Sequence, residues 1–427
     1  MSKGEYLWAP GEAPPLIQDH SLAKHEVLAR YLRVYVDVLT TNPVIERLRL
    51  ALVDGFAGGG VYQTQTGARH LGSPLQMVHA MQEAEAVASS KRTKKAFSLD
   101  VEYFFVEQKR RNLEVLEALL KIDPAAADLL AKDRLHVLQG SFDSLADDIT
   151  RRIQGRGRNP RALFLLDQYG YSKVPLTTLR NILHRLPNAE ILLTFATDWL
   201  IDYMSGKGGV SAERLQAMGL LDMAEQFDTL ISHKEHRDPR WRRLVQSVLH
   251  QNLVEQTGAR YFTPFFIVSP SAHREYWFVH LSRHSRARDE MTRLHWALEN
   301  RFAHYGRNGL GMLGYDPRED VLLSGQEAFN FSVASSRGLV TRLADEIPRR
   351  LSALPGESVA FADFFDQICN ETPATNEQIL EVLAIVSREK VIEVFDAESG
   401  KRRAGGVRVK QSDRLRVSQQ LRLFTSR

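Results

Sequence analysis

The feature that most constrains the fold is a regular alternation of short apolar runs with amphipathic segments through the first half of the chain. Apolar runs ending at glycine or acidic residues predict buried parallel strands, and helical spacing between them predicts helices. Strands are predicted at 48–54, 102–107, 135–139, 163–167 and 190–196, and helices at 22–39, 73–86, 109–121, 142–153 and 176–186. Repeated strand–helix units predict an α/β fold with a parallel sheet covered on both faces.

The pattern changes after residue 196. Residues 199–258 are polar and helical and contain Gly206-Lys207-Gly208-Gly209, which predicts an insertion. Two β-rich runs at 261–268 and 275–281 follow and predict an antiparallel hairpin, with a helix at 285–303 after it. We therefore expect a first domain over residues 1–315.

The C-terminal part of the chain has a different order of elements. Helices are predicted at 326–351, 359–369 and 376–387, followed by β-rich runs at 391–395 and 406–410. Thr375 is placed to cap the last of these helices. Two helices followed by a hairpin are typical of a winged helix, so we expect a winged-helix domain with a basic tail over residues 320–427.

Composition excludes several classes of protein. The chain has 427 residues and a single cysteine, Cys369, which excludes a disulfide framework and any multi-cysteine metal site. His280 and His284 are four residues apart but lie near a strand end, so we expect no metal site. No apolar run approaches a membrane span, and residues 1–15 lack the apolar core of a signal peptide. We expect a cytoplasmic protein.

Positive charge is concentrated in parts of the chain. The formal net charge is +4, and the segment from Lys401 onward has Asp413 as its only acid. Its basic residues are Lys401, Arg402, Arg403, Arg408, Lys410, Arg414, Arg416, Arg422 and Arg427. Smaller basic runs occur at 283–293 and 237–243. Such runs are either solvated surface or contacts for a polyanion, and the C-terminal run favours nucleic acid as a partner.

A glycine-rich loop follows the first predicted strand. Its sequence is Asp54-Gly55-Phe56-Ala57-Gly58-Gly59-Gly60. The spacing differs from the dinucleotide fingerprint, and no Gly-Lys-Ser/Thr follows, which excludes a phosphate-binding P-loop. The loop is typical of the first motif of Rossmann-like methyltransferases, and the alternative is a structural turn between strand and helix.

Other candidate residues follow the later strands. Glu107 ends the second strand, where an acid can accept both ribose hydroxyls, or can be a surface carboxylate. After the third strand, Ser141 or Asp143 can bind an adenine amino group or cap the next helix. After the fourth, Asp167 with Tyr169 and Tyr171 can hold and stack a planar base, or the tyrosines can pack on a helix.

Two further candidates lie at helices. Lys24 and His25 are on the first predicted helix, where the alternative is an exposed helical pair. Gly72-Ser73-Pro74-Leu75 opens the next helix, and such a helix start can bind a carboxylate or phosphate.

Together these segments resemble the three-Cys-motif partner proteins. The matching segments are Lys24-His25, 53–60, 72–75, 105–107, 140–142 and 167–171, and the resemblance covers about residues 20 to 305. These bacterial proteins have a methyltransferase-like Rossmann core, often carry a C-terminal winged helix, and occur beside a radical-enzyme-like protein with three cysteines. The resemblance implies a class I methyltransferase-type sheet with an antiparallel hairpin, S-adenosylmethionine as cofactor and that radical-enzyme-like protein as a partner.

The same resemblance implies a set of site residues. The cofactor pocket would be formed by Lys24, His25, Asp54, Gly55, Phe56, Gly58, Gly60, Glu107, Ser141 and Phe142. Asp167, Tyr169 and Tyr171 would lie at the reacting end. The family usually has Asp-Pro-Phe-Gly where this chain has Asp167-Gln168-Tyr169-Gly170.

These observations favour a methyltransferase-like protein that acts on or binds nucleic acid, in a phage-defence or mobile-element operon. The alternative is a catalytically silent nucleic-acid-binding or scaffolding subunit, which the altered loop at Asp167 supports. A nicotinamide-dependent oxidoreductase would need the dinucleotide glycine spacing. A nuclease would need an Asp…Glu-x-Lys cluster on adjoining strands that would hold magnesium, and we expect none.

Overall fold

The computed structural model describes most of the chain as two compact units, Met1–Leu294 and His295–Arg427. The described residues are 6–93, 95–168, 174–195, 254–268, 275–298, 302–304, 309–310, 329–330, 333–355 and 357–418. Most of the predicted insertion at 199–258 lies outside these residues. The predicted domain division at 315–320 lies outside them as well and stays a prediction.

The first unit alternates strands and helices. Its strands are β1 (Arg47–Asp54), β2 (Val61–Gln63), β3 (Arg69–Leu71), β4 (Ser98–Glu107), β5 (Leu135–Gln139), β6 (Arg161–Leu166), β7 (Asn188–Phe195), β8 (Tyr261–Val268) and β9 (Glu275–Ser282). Its helices are α1 (Asp19–Thr40), α2 (Ser73–Ser90), α3 (Arg110–Ile122), α4 (Pro124–Ala131), α5 (Phe142–Gln154) and α6 (Leu176–Arg185), and α7 (Ser285–Ala297) crosses the division between the units.

The main sheet of this unit has the strand order β5-β4-β1-β6-β7-β9-β8. The first five strands are parallel, and β9 is antiparallel to both of its neighbours, β7 and β8. An antiparallel last strand inserted beside the fifth parallel strand is the topology of class I Rossmann methyltransferases. The structure therefore confirms the predicted fold class. The order of connections reverses between β1 and β6, which is where open α/β sheets bind ligands.

The central strands are apolar because both faces of the sheet are covered. Leu50, Leu52 and Val53 in β1 are almost completely buried, and so is every residue from Ala162 to Leu166 in β6. A parallel strand in this position has no solvent-facing side, so its sequence lacks the alternation seen in half-exposed strands.

Two elements of the first unit differ from the prediction. The hairpin β2–β3 was not predicted, because its three-residue strands are too short to show periodicity. Helix α4 was also missed, although its start has a recognisable signal. The Asp123 carboxylate accepts hydrogen bonds from the Ala125 and Ala126 amides, and Pro124 occupies the first helical position.

The second unit has the element order of a winged helix. It contains β10 (Phe302–His304), β11 (Phe329–Asn330), α8 (Val333–Ser352), β12 (Val359–Ala360), α9 (Phe361–Ile368), a 3₁₀ turn (Cys369–Glu371), α10 (Asn376–Arg388), β13 (Ile392–Phe395) and β14 (Arg414–Val417). The last three strands form an antiparallel sheet in the order β12-β14-β13. Thr375 and Gln378 form a capping box at the start of α10, which confirms the predicted cap.

Several boundaries in this part were predicted wrongly. The helix predicted at 326–351 begins at Val333, after β11, and the helix predicted at 359–369 begins at Phe361, after β12. The helix predicted at 285–303 ends at Ala297, and residues 302–304 form β10. The second hairpin strand is Arg414–Val417, whereas residues 406–410 belong to the connection. Gly406 begins that stretch in the left-handed region, with φ +82°, which ends any extended strand there. We call residues 396–413 the wing. None of the helices in the described part of the chain is both long and apolar enough to cross a membrane.

Candidate functional site

Three acidic residues lie at the carboxyl ends of adjacent parallel strands. Asp54 is the last residue of β1, Glu107 is the last residue of β4, and Asp167 follows β6. In the sheet register Asp54 lies beside Phe105 of β4 and Leu165 of β6, so Glu107 and Asp167 are each a short step beyond it. The predicted grouping of these acids at one edge of the sheet is therefore present.

Asp54 is fully buried. Its Oδ1 accepts a hydrogen bond from the Phe56 amide at 3.0 Å, and among the described residues its Oδ2 has no hydrogen-bond partner. Burial raises the pKa of Asp54 to about 7, and the nearby Ser73 hydroxyl and the Phe56 amide oppose this rise. The charges of Asp167 and Glu107 add to it. Within the described part of the chain, this buried oxygen is thus an acceptor that receives no hydrogen bond of good geometry.

Glu107 faces the glycine-rich loop. Its Oε2 accepts a hydrogen bond from the Gly58 amide at 2.9 Å, and its Oε1 accepts one from the Lys109 amide at 2.7 Å. These bonds fix the carboxylate between the loop and the start of α3. Each oxygen keeps a further lone pair, so the group can still accept ribose hydroxyls. The alternative of an exposed strand-end carboxylate is wrong for Glu107, which is 9% exposed.

The glycine-rich loop is close-packed. Gly58 and Gly60 have φ of +59° and +74°, a conformation that favours glycine. A Cβ on Gly58 or Gly59 would lie 2.8 Å or less from Trp8, and one on Gly60 would lie 2.7 Å from Leu116. The glycines therefore serve both the turn and the packing of neighbouring side chains. One side of the loop is filled by Trp8.

Trp8 was missed by the sequence reasoning. Its indole Nε1 donates a hydrogen bond to the Val61 carbonyl at 2.5 Å, and its backbone amide donates one to Asn112 Oδ1 at 3.2 Å. Its ring also meets those of Tyr6 and Tyr62. Trp8 lies in a segment without helical or strand periodicity, so no sequence signal indicated that it supports the loop.

Lys24 of α1 and Asp167 form a two-point ion pair. Lys24 Nζ lies 2.5 Å from Oδ1 and 2.7 Å from Oδ2 of Asp167. Burial alone would raise the pKa of Asp167, but the charge and hydrogen bond of Lys24 hold it below its ordinary value. Asp167 is therefore ionised at neutral pH. Lys24 and the neighbouring His25 are 6% and 5% exposed, so the alternative of an exposed helical pair is wrong.

Histidines surround this ion pair. The rings of His25 and His70 are parallel, with centroids 5.3 Å apart, and His25 Nδ1 lies 3.1 Å from His70 Nε2. Burial, with help from His70 and Lys24, lowers the pKa of His25 to about 3. Burial and Lys24 lower the pKa of His20 to about 4. Both imidazoles are neutral at neutral pH, so they add hydrogen-bonding groups without charge.

Tyr62 of β2 lies within the electrostatic influence of all three acids. Burial raises its pKa well above the ordinary value, and the charges of Asp167, Asp54 and Glu107 contribute. The phenol stays protonated and can donate a hydrogen bond. Its ring contacts those of Tyr6, Trp8 and His25. Tyr62 is a second site residue that the sequence reasoning missed, because the strand carrying it was not predicted.

The remaining predicted residues have mixed positions. Ser141 Oγ accepts a hydrogen bond from the Ser144 amide at 3.3 Å and caps α5, and Asp143 accepts one from the Thr178 hydroxyl. Phe142 is 1% exposed and packs against Gly55, so it belongs to the core beneath the loop. A cofactor contact by Ser141 or Phe142 stays a prediction. Tyr169 and Tyr171 lie outside the described residues.

The donor and acceptor chemistry of this edge fits S-adenosylmethionine. That cofactor carries an ammonium, a sulfonium and a ribose diol, and each can pair with a carboxylate. Asp54 offers a buried acceptor that receives no hydrogen bond from the described residues, and Glu107 offers a fixed one beside the loop. Within the described ranges, no group of three or more His, Cys, Asp and Glu residues is placed to hold a metal ion.

Comparison with known proteins gives one family match, and it is to the C-terminal part of the chain. Residues 314–399 match a family model described as a GMT-like wHTH domain. This agrees with the winged-helix fold, a class of helix-turn-helix structure that is common in nucleic-acid binding. No curated protein matches the chain. The resemblance of residues 20–305 to three-Cys-motif partner proteins stays a prediction.

Solved structures similar to this chain are distant. Protein LPL1258 from Legionella pneumophila is 11% identical, with 67% of this chain and 93% of that chain covered and a TM-score of 0.37. A putative O-methyltransferase from Klebsiella pneumoniae is 11% identical, with 63% and 91% covered and a TM-score of 0.27. Aeropyrum pernix fibrillarin, solved with S-adenosylmethionine, is 8% identical, with 59% and 76% covered and a TM-score of 0.26. Similarity at this level assigns no activity.

Proposed function

We propose that this protein binds S-adenosylmethionine and transfers its methyl group to nucleic acid. The observation that carries the proposal is a buried oxygen of Asp54, without a hydrogen bond from the described residues, beside Glu107 at the switch point of a class I methyltransferase sheet. A winged helix on the same chain supports nucleic acid as the partner.

Each acid has a separate role in this proposal. Glu107 accepts the ribose hydroxyls, and Asp54 accepts a hydrogen bond from the cationic amino acid part of the cofactor. The bound cofactor supplies an electrophilic methyl group. Gly55, Phe56, Gly58 and Gly60 shape the backbone around it, while Lys24 and His25 close the site from α1.

Asp167 lies at the reacting end in this proposal. Lys24 keeps it ionised and fixes its orientation. Each carboxylate oxygen has a second lone pair, so Asp167 can accept a hydrogen bond from a target amine while the ion pair stays intact. Tyr169 and Tyr171 are the proposed stacking residues for the target base.

A catalytically silent core is the second candidate. The observation that favours it is the same ion pair, because both oxygens of Asp167 are already engaged by one ammonium group. In that case the protein would bind nucleic acid or act as a scaffold in a larger assembly that includes the three-cysteine radical-enzyme-like partner. The proposed setting is the same phage-defence or mobile-element operon.

Thermal unfolding with added cofactor tests the binding step. A ligand that binds only the folded state raises its stability with the logarithm of ligand concentration over the dissociation constant. We expect S-adenosylmethionine to raise the Tm and NAD to leave it unchanged. The reverse order would favour an oxidoreductase.

Methyl transfer is tested separately. The full chain is incubated with methyl-labelled S-adenosylmethionine and mixed DNA and RNA, and label is counted in the nucleic acid. We expect incorporation by the native protein and little by Asp167→Asn. Binding of the cofactor without any incorporation would favour the silent core.

A further inference from the structure

We propose that nucleic acid is held by the wing, residues 396–413, through its phosphates, and that α10 does not read bases. This inference rests on the nucleic-acid partner in the proposed function. It concerns which surface of the winged helix makes the contact and what kind of recognition follows.

Helix α10 occupies the position of the recognition helix, but the solvent face of its first three turns is acidic, and its exposed cation, Arg388, is in the last turn. The exposed residues of its first three turns are Glu377 and Glu381. Between and after them lie the half-exposed Leu380, Ala384 and Ile385. Carboxylates placed in a major groove would face the phosphates of both strands, and like charges at close range are unfavourable.

Two polar side chains in the first turn of α10 that could read base edges, Asn376 and Gln378, are engaged within the domain. Gln378 Oε1 accepts the Thr375 amide at 2.8 Å, and Gln378 Nε2 donates to Ser336 at 3.3 Å. Asn376 Oδ1 accepts a hydrogen bond from Gln411 of the wing at 3.0 Å. Reading bases with these groups would cost the capping box and the contact between helix and wing.

The wing carries exposed cations that are not neutralised. Lys401, Arg408 and Lys410 are exposed and form no ion pair with any other described residue. The other basic residues there differ: Arg402 shares Glu393 with Arg416, and Arg403 pairs with both Asp396 and Asp413.

The wing is held in a defined shape. Val409 is 2% exposed, and the Lys410 amide donates to Asp413 Oδ2 at 2.8 Å. A Cβ on Gly405 would lie 2.8 Å from the Ser387 carbonyl, so the wing backbone packs directly on the end of α10. A preorganised loop loses less conformational entropy when its cations bind phosphates.

Most cations of the basic run at 283–293 are paired or buried. Arg286 pairs with Glu290, and Arg293 pairs with Asp289 and Glu290. Arg288 is 1% exposed. The run at 237–243 lies outside the described residues. Among the described residues of these runs, the wing therefore carries the largest group of exposed cations without an ion pair, since Arg283 is the single such residue at 283–293.

The test measures binding of the full chain to fluorescent duplex DNA, single-stranded DNA and duplex RNA between about 50 and 200 mM salt. The wing variant is Lys401→Ala/Arg408→Ala/Lys410→Ala. A control with the same charge change, Lys121→Ala/Arg158→Ala/Arg180→Ala, removes exposed cations of the first unit that, like those of the wing, form no ion pair with another described residue. A second control, Glu377→Gln/Glu381→Gln, changes only α10. Thermal unfolding verifies that each variant is folded.

We expect the wing variant to bind at least about tenfold more weakly, with a salt slope smaller by about 0.9 for each phosphate that the variant no longer neutralises. The first control should bind like the native chain, and the α10 variant equally or more tightly. Duplexes rich in A·T and G·C should bind within about threefold of each other, since the wing reads no base edge that would discriminate between them.

The outcomes separate the two levels of the proposal. If the native chain binds but the wing variant binds equally well, or the α10 variant loses binding, the wing assignment is overturned and the nucleic-acid function stands. If the native chain binds none of the three probes, the nucleic-acid function fails and the wing assignment fails with it. In that second case the acidic and apolar face of α10 points to a protein partner.

Discussion

Lys24 and Asp167 are 143 residues apart in the chain, yet the ammonium of one lies within 2.7 Å of both carboxylate oxygens of the other. The pair joins α1 to the carboxyl edge of the sheet. Lys24 is almost completely buried, and Asp167 keeps 26% of its side chain exposed. This contact fixes the charge of the proposed reacting end and links the first helix to the site.

Replacement of Lys24 by Met should leave Asp167 as an uncompensated, mostly buried charge. We expect a loss of about 3 kcal/mol of unfolding free energy, at the lower end for a broken buried pair because Asp167 is partly exposed. The double variant Lys24→Met/Asp167→Asn should recover part of this loss, since no lone charge remains. Guanidinium unfolding measures both. A double variant as unstable as Lys24→Met would contradict the ion-pair account.

Asp54 should make the protein less stable as pH rises. Its pKa is about 7 in the folded protein and near 3.8 when unfolded, so the folded state binds more protons between these values. The stability gained from the protonated form is complete below pH 4 and is lost as pH rises to about 7. Relative to the native chain, Asp54→Asn should gain about 4 kcal/mol across that window. Parallel stability curves for the two proteins would show that Asp54 is not perturbed.

His25 should make the protein less stable as pH falls, which is the opposite of the effect of Asp54. Its pKa is about 3 in the folded protein against 6.5 unfolded, so the unfolded state binds the proton first as pH falls. Its contribution is complete above pH 6.5 and declines toward pH 3. His25→Gln should therefore show a shallower loss of stability on acidification than the native chain. A steeper loss in the variant would mean that His25 is charged in the folded protein.

Trp8 and Gly59 should be energetically coupled. Trp8→Ala leaves a cavity beside the loop and should cost about 3–5 kcal/mol. Gly59→Ala places a Cβ too close to the indole and should also destabilise, although the backbone at Gly59 does not require a left-handed conformation. In the double variant the two indole atoms that would lie 2.3 and 2.5 Å from the new methyl group are gone, and the Cβ of residue 8 stays 2.8 Å away, so the clash is partly relieved. The sum of the single effects should therefore exceed the effect of the double variant, and strict additivity would place Trp8 away from the loop.

The positions of the parallel strands and most helix bounds of the first unit follow from the sequence because buried parallel strands leave uninterrupted apolar runs, as in β6. The candidate acids were found for a related reason: each ends one of those runs, as Glu107 ends β4. The neighbouring residues in the sequence are enough to recognise the end of such a run, so the sequence pattern identifies these positions.

Contacts between distant segments could not be predicted in this way. The tie between Lys24 and Asp167 and the packing of Trp8 on Gly59 depend on tertiary structure that no periodicity encodes. The second strand of the hairpin was misplaced because residues 406–410 and 414–417 alternate apolar and polar residues equally well. The left-handed Gly406 and the buried Val409, rather than strand propensity, decide between them.

The most direct test of the account is calorimetric titration of S-adenosylmethionine into the full chain and into Glu107→Gln, with Lys132→Ala as a control for an unrelated surface change. The account predicts saturable binding to the native chain and to Lys132→Ala, and binding weaker by about tenfold or more in Glu107→Gln, the loss expected for a charged hydrogen bond. Absence of binding to the native chain at millimolar cofactor, or equal affinity in Glu107→Gln, would contradict it.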